Sequence, residues 1–275
     1  YAVLLQNNQE LRPTGGFIQA VALLTFDQGQ LINVQVEDVY DIDKQLTGVM
    51  APPAEITQYL GEDRWFLRDA NWHPDFPTTA EQVGWFLEKS LGTNVDGVMG
   101  INIKVMEELL SAIGQVDLPQ YNEVITTRNL NERLEFHSEV QLVANEAAPD
   151  YSQVLLQTLI SKLQSLSVEQ VNPLLAAMLE SANQKELLIS MTDSNENASF
   201  NLVGWSGALV EPGCPAAFGN SACLVDAIAQ VEANVGVNKA NNYLERQIDH
   251  SIQLLPTQAQ HKRVVTYKNK ASSNA

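Results

Sequence analysis

The chain opens on a nearly unbroken apolar run, Tyr1 to Gln6, which stops at the polar Asn7-Asn8-Gln9-Glu10. Such a run reads as a buried strand. Two β-rich runs follow, Phe17 to Phe26 and Leu31 to Val39, and the Asp27-Gln28-Gly29-Gln30 between them has the form of a hairpin turn. These two segments are therefore predicted to pair antiparallel. Between the first and second strands, Leu11-Arg12-Pro13-Thr14-Gly15-Gly16 forms a tight loop that exposes its backbone and can bring an Arg and several N–H groups toward an anion. Helical spacing then begins to alternate with strands. Thr78-Thr79-Ala80-Glu81 has the form of a capping box, Val83, Phe86, Leu87 and Leu91 mark an apolar face, and Gly92 is the stop. Val95 to Ile101 reads as a strand. Val105, Met106, Leu109, Leu110 and Ile113 give a second helical face closed by Gly114, and Val116-Asp117-Leu118-Pro119 is extended. This order predicts a sheet covered by helices.

The middle of the chain is helical. Val154, Leu155, Leu159, Ile160 and Leu163 share a face within Tyr151 to Leu166. Ser167-Val168-Glu169-Gln170 opens a helix with Val171, Leu174, Leu175, Met178 and Leu179 on its face, so an αα-hairpin is predicted. Glu186 to Met191 is a strand, and Leu202 to Val210 and Leu224 to Val231 read as short β pieces. Leu244 to Leu255 fits both alternation and helical spacing. The β-prone Arg263 to Tyr267, as a partner, favours the strand. The fold class is thus α/β: a central mixed sheet flanked by helices, with a helical hairpin and a C-terminal β segment. No repeat or low-complexity linker divides the chain. It reads as a single domain with an α/β core over 1–120, a helical part over 121–185 and a β-rich part over 186–275.

Composition narrows the partners. Of 275 residues 45% are hydrophobic, enough for a packed core, and the formal charge is −17. The acidic excess argues against nucleic acid and against docking on an anionic membrane through a basic face. No run of apolar residues is long enough to span a bilayer. The chain begins mid-pattern without Met, as a mature chain or fragment would, and any membrane link is expected through a segment missing from it. Cys214 and Cys223 close a short loop rich in Gly and Pro. That spacing favours a disulfide over two free thiols, and with it an oxidising, extracytoplasmic compartment. A zinc site is disfavoured, because no His lies near to complete a ligand set.

Three clusters could carry chemistry: Asn7, Glu10, Arg12, Gly15 and Gly16; Glu37, Asp38, Asp41 and Asp43; and Arg68-Asp69-Ala70-Asn71-Trp72-His73-Pro74-Asp75, with Arg64 just before it. Loops at strand ends are where α/β sheets bind ligands. Two arginines facing several carboxylates have the ingredients of a metal–pyrophosphate site. Each cluster also has a structural reading. Arg12 can cap carbonyls of its turn, the Asp run can be solvated surface, and Arg68 and Asp69 can be a structural ion pair. The four histidines, His73, His137, His250 and His261, lack metal-ligand spacing, and there is no nucleophile elbow, P-loop or dinucleotide fingerprint.

The segment Leu4 to Ile18 closely resembles the opening motif of the bacterial domain of unknown function 4012 family. So do Asp38-Val39-Tyr40-Asp41-Ile42-Asp43, Leu67 to Pro77, Val95 to Asn102, and the Asn-rich, Lys-containing Asn234 to Tyr243. That resemblance implies a domain held outside the membrane behind an N-terminal anchor, at the cell surface or in a periplasm. The family's first half is distantly similar to the LytR-CpsA-Psr proteins, which transfer lipid-pyrophosphate-linked glycopolymers to the cell wall. By that analogy Arg12 corresponds to an early phosphate-binding Arg, and Asp38 to Asp43 lie near the pyrophosphate pocket. Asn7 and Asn8 stand where those enzymes carry an acidic metal ligand, with Glu10 as its substitute, and Ala148 to Gln153 carries no basic residue where they are Arg-rich.

The resulting expectation is an extracytoplasmic cell-envelope domain that binds, and as a phosphotransferase transfers, a glycan from a polyprenyl-pyrophosphate carrier. Arg12, Gly15, Gly16, Arg68, Asn71 and Asp75 would bind ligand. Asp38, Asp41 or Asp69 would hold Mg²⁺ or accept the proton of an incoming hydroxyl, and Glu10 and Asp43 would be metal ligands. The rival expectation is a non-catalytic surface or scaffold module that binds a protein or a polysaccharide such as a cell-wall polymer, with both arginines buried in ion pairs. An apolar tunnel ending at both arginines favours the first; arginines satisfied by carboxylates favour the second.

Overall fold

Strand β1 (Ala2–Asn7) is buried along its whole length because both of its faces are covered. Ala2 and Leu4 enter one apolar cluster, and Val3 and Leu5 enter another. In this computed structural model, which describes residues 1–144, 151–210, 212–214, 223, 225–236 and 238–271, β1 is the central strand of a five-stranded mixed sheet. The others are β2 (Phe17–Asp27), β3 (Gln30–Asp38), β4 (Gly97–Asn102) and β7 (Leu187–Met191), in the order β3-β2-β1-β4-β7. Only β1 and β4 run parallel. The β2–β3 turn is the two residues Gln28 and Gly29, both at positive φ (48° and 77°), which matches the twist of the strands it joins.

A bulge shapes β2. Leu5 pairs with Ala20 while Gln6 pairs with Ile18, so Gln19 is the extra residue. It turns Ile18 and Ala20 to opposite faces although they stand two apart, and Ile18 joins the cluster of Leu4 while Ala20 joins that of Leu5.

Helices cover both faces. Helix α2 (Phe76–Leu91) packs Phe76, Val83, Phe86 and Leu87 against the Leu4 side. Helix α3 (Ile103–Ile113) starts where the Asn102 side chain accepts the Lys104 and Val105 N–H groups. It covers the Leu5 side together with α5 (Tyr151–Leu163). The short α1 (Val39–Lys44) continues from β3, and α4 (Leu130–Ala144) follows the small pair β5 (Val116–Leu118) and β6 (Glu123–Ile125). Helix α6 (Val168–Asn183) opens with the expected capping box at Ser167 and lies against α3 through Leu174 and Met178. The ambiguous C-terminal segment is a strand, β8 (Leu244–Leu254), paired with β9 (Ala259–Asn269) in a two-stranded hairpin.

Some local expectations are corrected. Helix α2 begins at Phe76, two residues before the Thr78 capping box, because Asp75 is the N-cap and accepts the Thr78 N–H. The stretch from Leu202 is not a strand: α7 (Ser194–Val203), capped by Asp193 and ended by Gly204 at φ 77°, occupies its start, and no strand follows up to Val210. The described part of Leu224 to Val231 is also without a strand. Ala148 to Asp150 lie outside the described residues. The Cys214–Cys223 disulfide is formed. Among the described residues no helix is long and apolar enough to cross a membrane.

The loop from β1 to β2 must lie directly on β1. Gly15 has φ 141°, and a Cβ on Gly16 would fall on the Asn7 carbonyl. Gly16→Ala is therefore expected to cost about 1–3 kcal/mol, the usual penalty for overpacking. Urea unfolding checks this, and an unchanged midpoint would contradict the close approach.

Candidate functional site: a cavity between two arginines

The site is organised by the short 3₁₀ segment Leu67–Trp72. Asp69 and Asn71 depart from helical geometry there (φ −118°, ψ 17° and φ −87°, ψ 37°), and both are buried. Three contacts fix the kink. The Trp65 indole N–H donates to the Asp69 carbonyl at 2.9 Å, the Leu67 N–H donates to Asp43 at 2.8 Å, and Asn71 Nδ2 donates to the Gly16 carbonyl at 2.7 Å. The Gly-Gly loop and the Asp-rich helix are thereby attached to one segment.

Asp69 then receives two arginines. Arg12 Nε donates to Asp69 Oδ1 at 2.7 Å, and Arg68 Nε lies 3.8 Å from Asp69 Oδ2. The rest of the Arg12 guanidinium donates to Glu10 Oε1 at 3.1 Å and to the carbonyls of Leu11 (3.1 Å) and Asn234 (2.9 Å). Arg68 donates to Asp43 Oδ2 at 2.9 Å and to Glu62 Oε1 at 2.5 Å. Aromatic rings flank both groups: Phe17 and Trp72 lie 5.4 and 5.9 Å from the Arg12 guanidinium carbon, and Phe66 lies 4.1 Å from that of Arg68. Each arginine is thus satisfied by carboxylates and stacked on rings.

A cavity of about 380 Å³ opens here. Its charged wall is Glu10, Arg12, Glu62, Arg68 and Asp69, and its apolar wall is Phe17, Tyr40 and Leu60. Burial raises the Glu10 carboxyl against the pull of Arg12. Burial likewise pushes Asp43 up to about 6, outweighing the Arg68 guanidinium and the Leu67 amide. Arg68 moves upward, because its partners Glu62 and Asp43 outweigh the burial that opposes its charge.

Of the residues singled out in the sequence, Glu10, Arg12, Arg68 and Asp69 converge on this cavity, with Asp43 bonded to Arg68. Gly15 and Gly16 serve the close approach to β1; the Gly15 N–H bonds to the Arg12 carbonyl. Asn71 ties that loop down. The others lie outside the cavity lining. Asp38 caps α1, Asp41 is exposed and paired with Lys44 at 2.7 Å, and Asp75 caps α2 and accepts the Leu209 N–H at 2.8 Å. Glu10 and Asp43 pair with different arginines. Among the described residues no group of three or more His, Cys, Asp or Glu side chains could hold a metal ion.

Sequence reasoning missed Phe17, Tyr40, Leu60 and Glu62 as lining residues, and the Asn234 carbonyl as an Arg12 partner. Tyr40 and Asn234 sit inside recognisable motifs, which was the available signal. Glu62 carried none.

Residues 1–137 match the model of the family described as Protein of unknown function (DUF4012). No curated protein matches the chain. Protein gbs0355 from Streptococcus agalactiae is similar in structure at 14% identity, covering 75% of this chain and 73% of its own, with a TM-score of 0.39. Lin1025 protein from Listeria innocua is similar at 11% identity, covering 75% and 78%, with a TM-score of 0.36.

Two tests follow from the charge network. Asp69→Ala removes the carboxylate shared by two arginines and leaves the buried Arg12 with Glu10 alone, and is expected to cost about 3 kcal/mol, readable by chemical denaturation; a loss below about 1 kcal/mol would contradict a buried shared carboxylate. The second concerns pH. Asp43 holds its proton more tightly when folded (about 6 against an ordinary 3.8), so its contribution to stability is complete below pH 3.8 and is lost as pH rises through 6. That contribution amounts to roughly 3 kcal/mol. The Asp43 carboxyl carbon resonance should titrate near pH 6, and higher still in Arg68→Met; a midpoint near 4 in the native protein would contradict the assignment.

Proposed function

We propose, on the match of residues 1–137 to the DUF4012 model, a non-catalytic binding module of the cell envelope that takes a glycan in the cavity between Arg12 and Arg68. One observation carries the reading: both guanidinium groups are already neutralised by carboxylates, Arg12 by Glu10 and Asp69, and Arg68 by Asp43 and Glu62. Three acidic side chains and two basic ones line the cavity. A pyrophosphate would enter a site whose like charges outnumber the opposite ones, and displacing a buried carboxylate from its Arg is costly.

A saccharide meets no such barrier. Its hydroxyls donate to carboxylates and accept from arginines, so the charge pairs need not separate. Phe17 and Tyr40 supply ring surface, and a volume of about 380 Å³ is that of a small-ligand site. The disulfide supports an oxidising, extracytoplasmic setting. None of the three aspartates considered for proton transfer is poised for it: Asp38 is engaged as a helix cap, Asp41 sits on the surface and Asp69 is held by two arginines.

The second reading is binding and transfer of a lipid-pyrophosphate-linked glycan in the LytR-CpsA-Psr manner. It is favoured by the meeting of Arg12 and Arg68 on one carboxylate, which would let both grip phosphate oxygens once Glu10 or Asp43 takes up a proton. Titration calorimetry at pH 7.5 separates the two, with a neutral cell-wall oligosaccharide and its polyprenyl-pyrophosphate-linked form as ligands. The expected result is comparable affinity for both, reduced at least tenfold by Arg68→Ala (with its thermal midpoint monitored), and no release of the carrier. Binding of the pyrophosphate-linked form alone, or its turnover, would establish the second reading instead.

A further inference from the structure

A second and larger cavity, of about 540 Å³, stands on the same segment of chain. Its aromatic wall is Trp65 and Trp72, and its polar groups come from Glu55, His73 and Gln82. Trp72 neighbours the first site: it lines this cavity, and its ring centroid lies 5.9 Å from the Arg12 guanidinium, which lines the other. The Trp65 indole N–H is already bonded to the Asp69 carbonyl, so this ring offers apolar surface only. Pro52, Pro53 and Pro74 complete the wall, and prolines bring no backbone N–H.

The polar groups have a definite sense. The Asp75 N–H donates to His73 Nδ1 at 3.1 Å, so in the neutral ring the proton sits on Nε2, which is then a donor. The Gln82 side-chain oxygen is buried without a hydrogen-bond partner. A buried acceptor in that state calls for an O–H or N–H donor. Glu55 is exposed at the rim and, as a carboxylate, also accepts. The cavity therefore combines two indoles with donors at His73 Nε2 and the Gln82 amide and acceptors at Gln82 Oε1 and Glu55.

We propose that this cavity is a sugar-ring subsite, in which a neutral hexopyranose unit stacks on Trp72. Its hydroxyls accept from His73 Nε2, donate to Glu55, and donate to Gln82 Oε1 once the amide turns to bring that covered atom to the cavity surface. The inference rests on the glycan reading above and extends it: a chain held between Arg12 and Arg68 continues across Trp72 into the second cavity. A proline-rich peptide would also suit indoles and prolines. It has only carbonyl acceptors to offer, however, which would answer His73 and leave Gln82 and Glu55 without a donor. Hydroxyl groups answer all three.

The test is a tryptophan-fluorescence titration of the full chain with the β-linked N-acetylglucosamine tetrasaccharide and with cellotetraose, alongside a decaproline peptide. A tetrasaccharide is expected to shift the emission saturably. Gln82→Leu should weaken it about tenfold, the effect of one lost hydrogen bond, without lowering the thermal midpoint, and Trp72→Ala should abolish it. Binding that is lost in Arg68→Ala yet indifferent to Gln82→Leu would overturn the subsite and leave the first cavity as the glycan site. Binding that depends on Gln82 and is indifferent to Arg68→Ala would uphold the subsite and overturn the first reading. Saturation by decaproline alone would make this a peptide groove, and no response to any probe would remove both proposals.

Discussion

The carboxylate of Asp69 is the constraint on which the site depends. Arg12 and Arg68 both reach it, Arg12 across 57 positions of sequence. Charge buried at this depth persists only when paired, so Asp69 and Arg12 fix each other's place. The segment that carries Asp69 is kinked to present it, and side chains hold the kink from three directions: Trp65 from just before the segment, Asn71 from within it toward the Gly-Gly loop, and Asp43 on the Leu67 amide. The C-terminal half joins the same knot, since Asn234 bonds through both backbone groups to Leu11 and Arg12.

The consequence is a site that is rich in charge but lacks excess positive charge. A pair of arginines in sequence suggests an anion receptor. A pair of arginines facing two and three carboxylates suggests a rigid, hydrogen-bonding wall. Aromatic rings stand beside that wall on both sides of Trp72. Hydroxylated ligands suit such surroundings because they exchange hydrogen bonds without separating ions.

Local rules made much of the fold legible. The apolar run of β1, the Gln28-Gly29 turn and the Ser167 capping box each express a preference within a few residues. Where longer-range factors decided, reading failed. Helix α2 is capped by Asp75 rather than Thr78, because Asp75 holds the first turn while its other oxygen receives Leu209 from far along the chain. Helix α7 was hidden because it has almost no apolar face, and Leu202 at its end is 88% exposed. The site divides in the same way. Arg12, Arg68 and Asp69 stood out as residue types in loops. Nothing local distinguished Asp43 and Asp69, which meet arginines, from Asp38, Asp41 and Asp75, which cap helices or face water. That distinction is made by tertiary approach, as is the gathering of Phe17, Tyr40 and Glu62 around one cavity.

The claim that both guanidinium groups are neutralised in place is tested most directly by following the Arg12 and Arg68 Nε–H resonances at pH 7.5 while inorganic pyrophosphate is added. The account predicts that neither signal moves at millimolar concentrations. Saturable movement of both at micromolar pyrophosphate would contradict it and make this cavity an anion receptor.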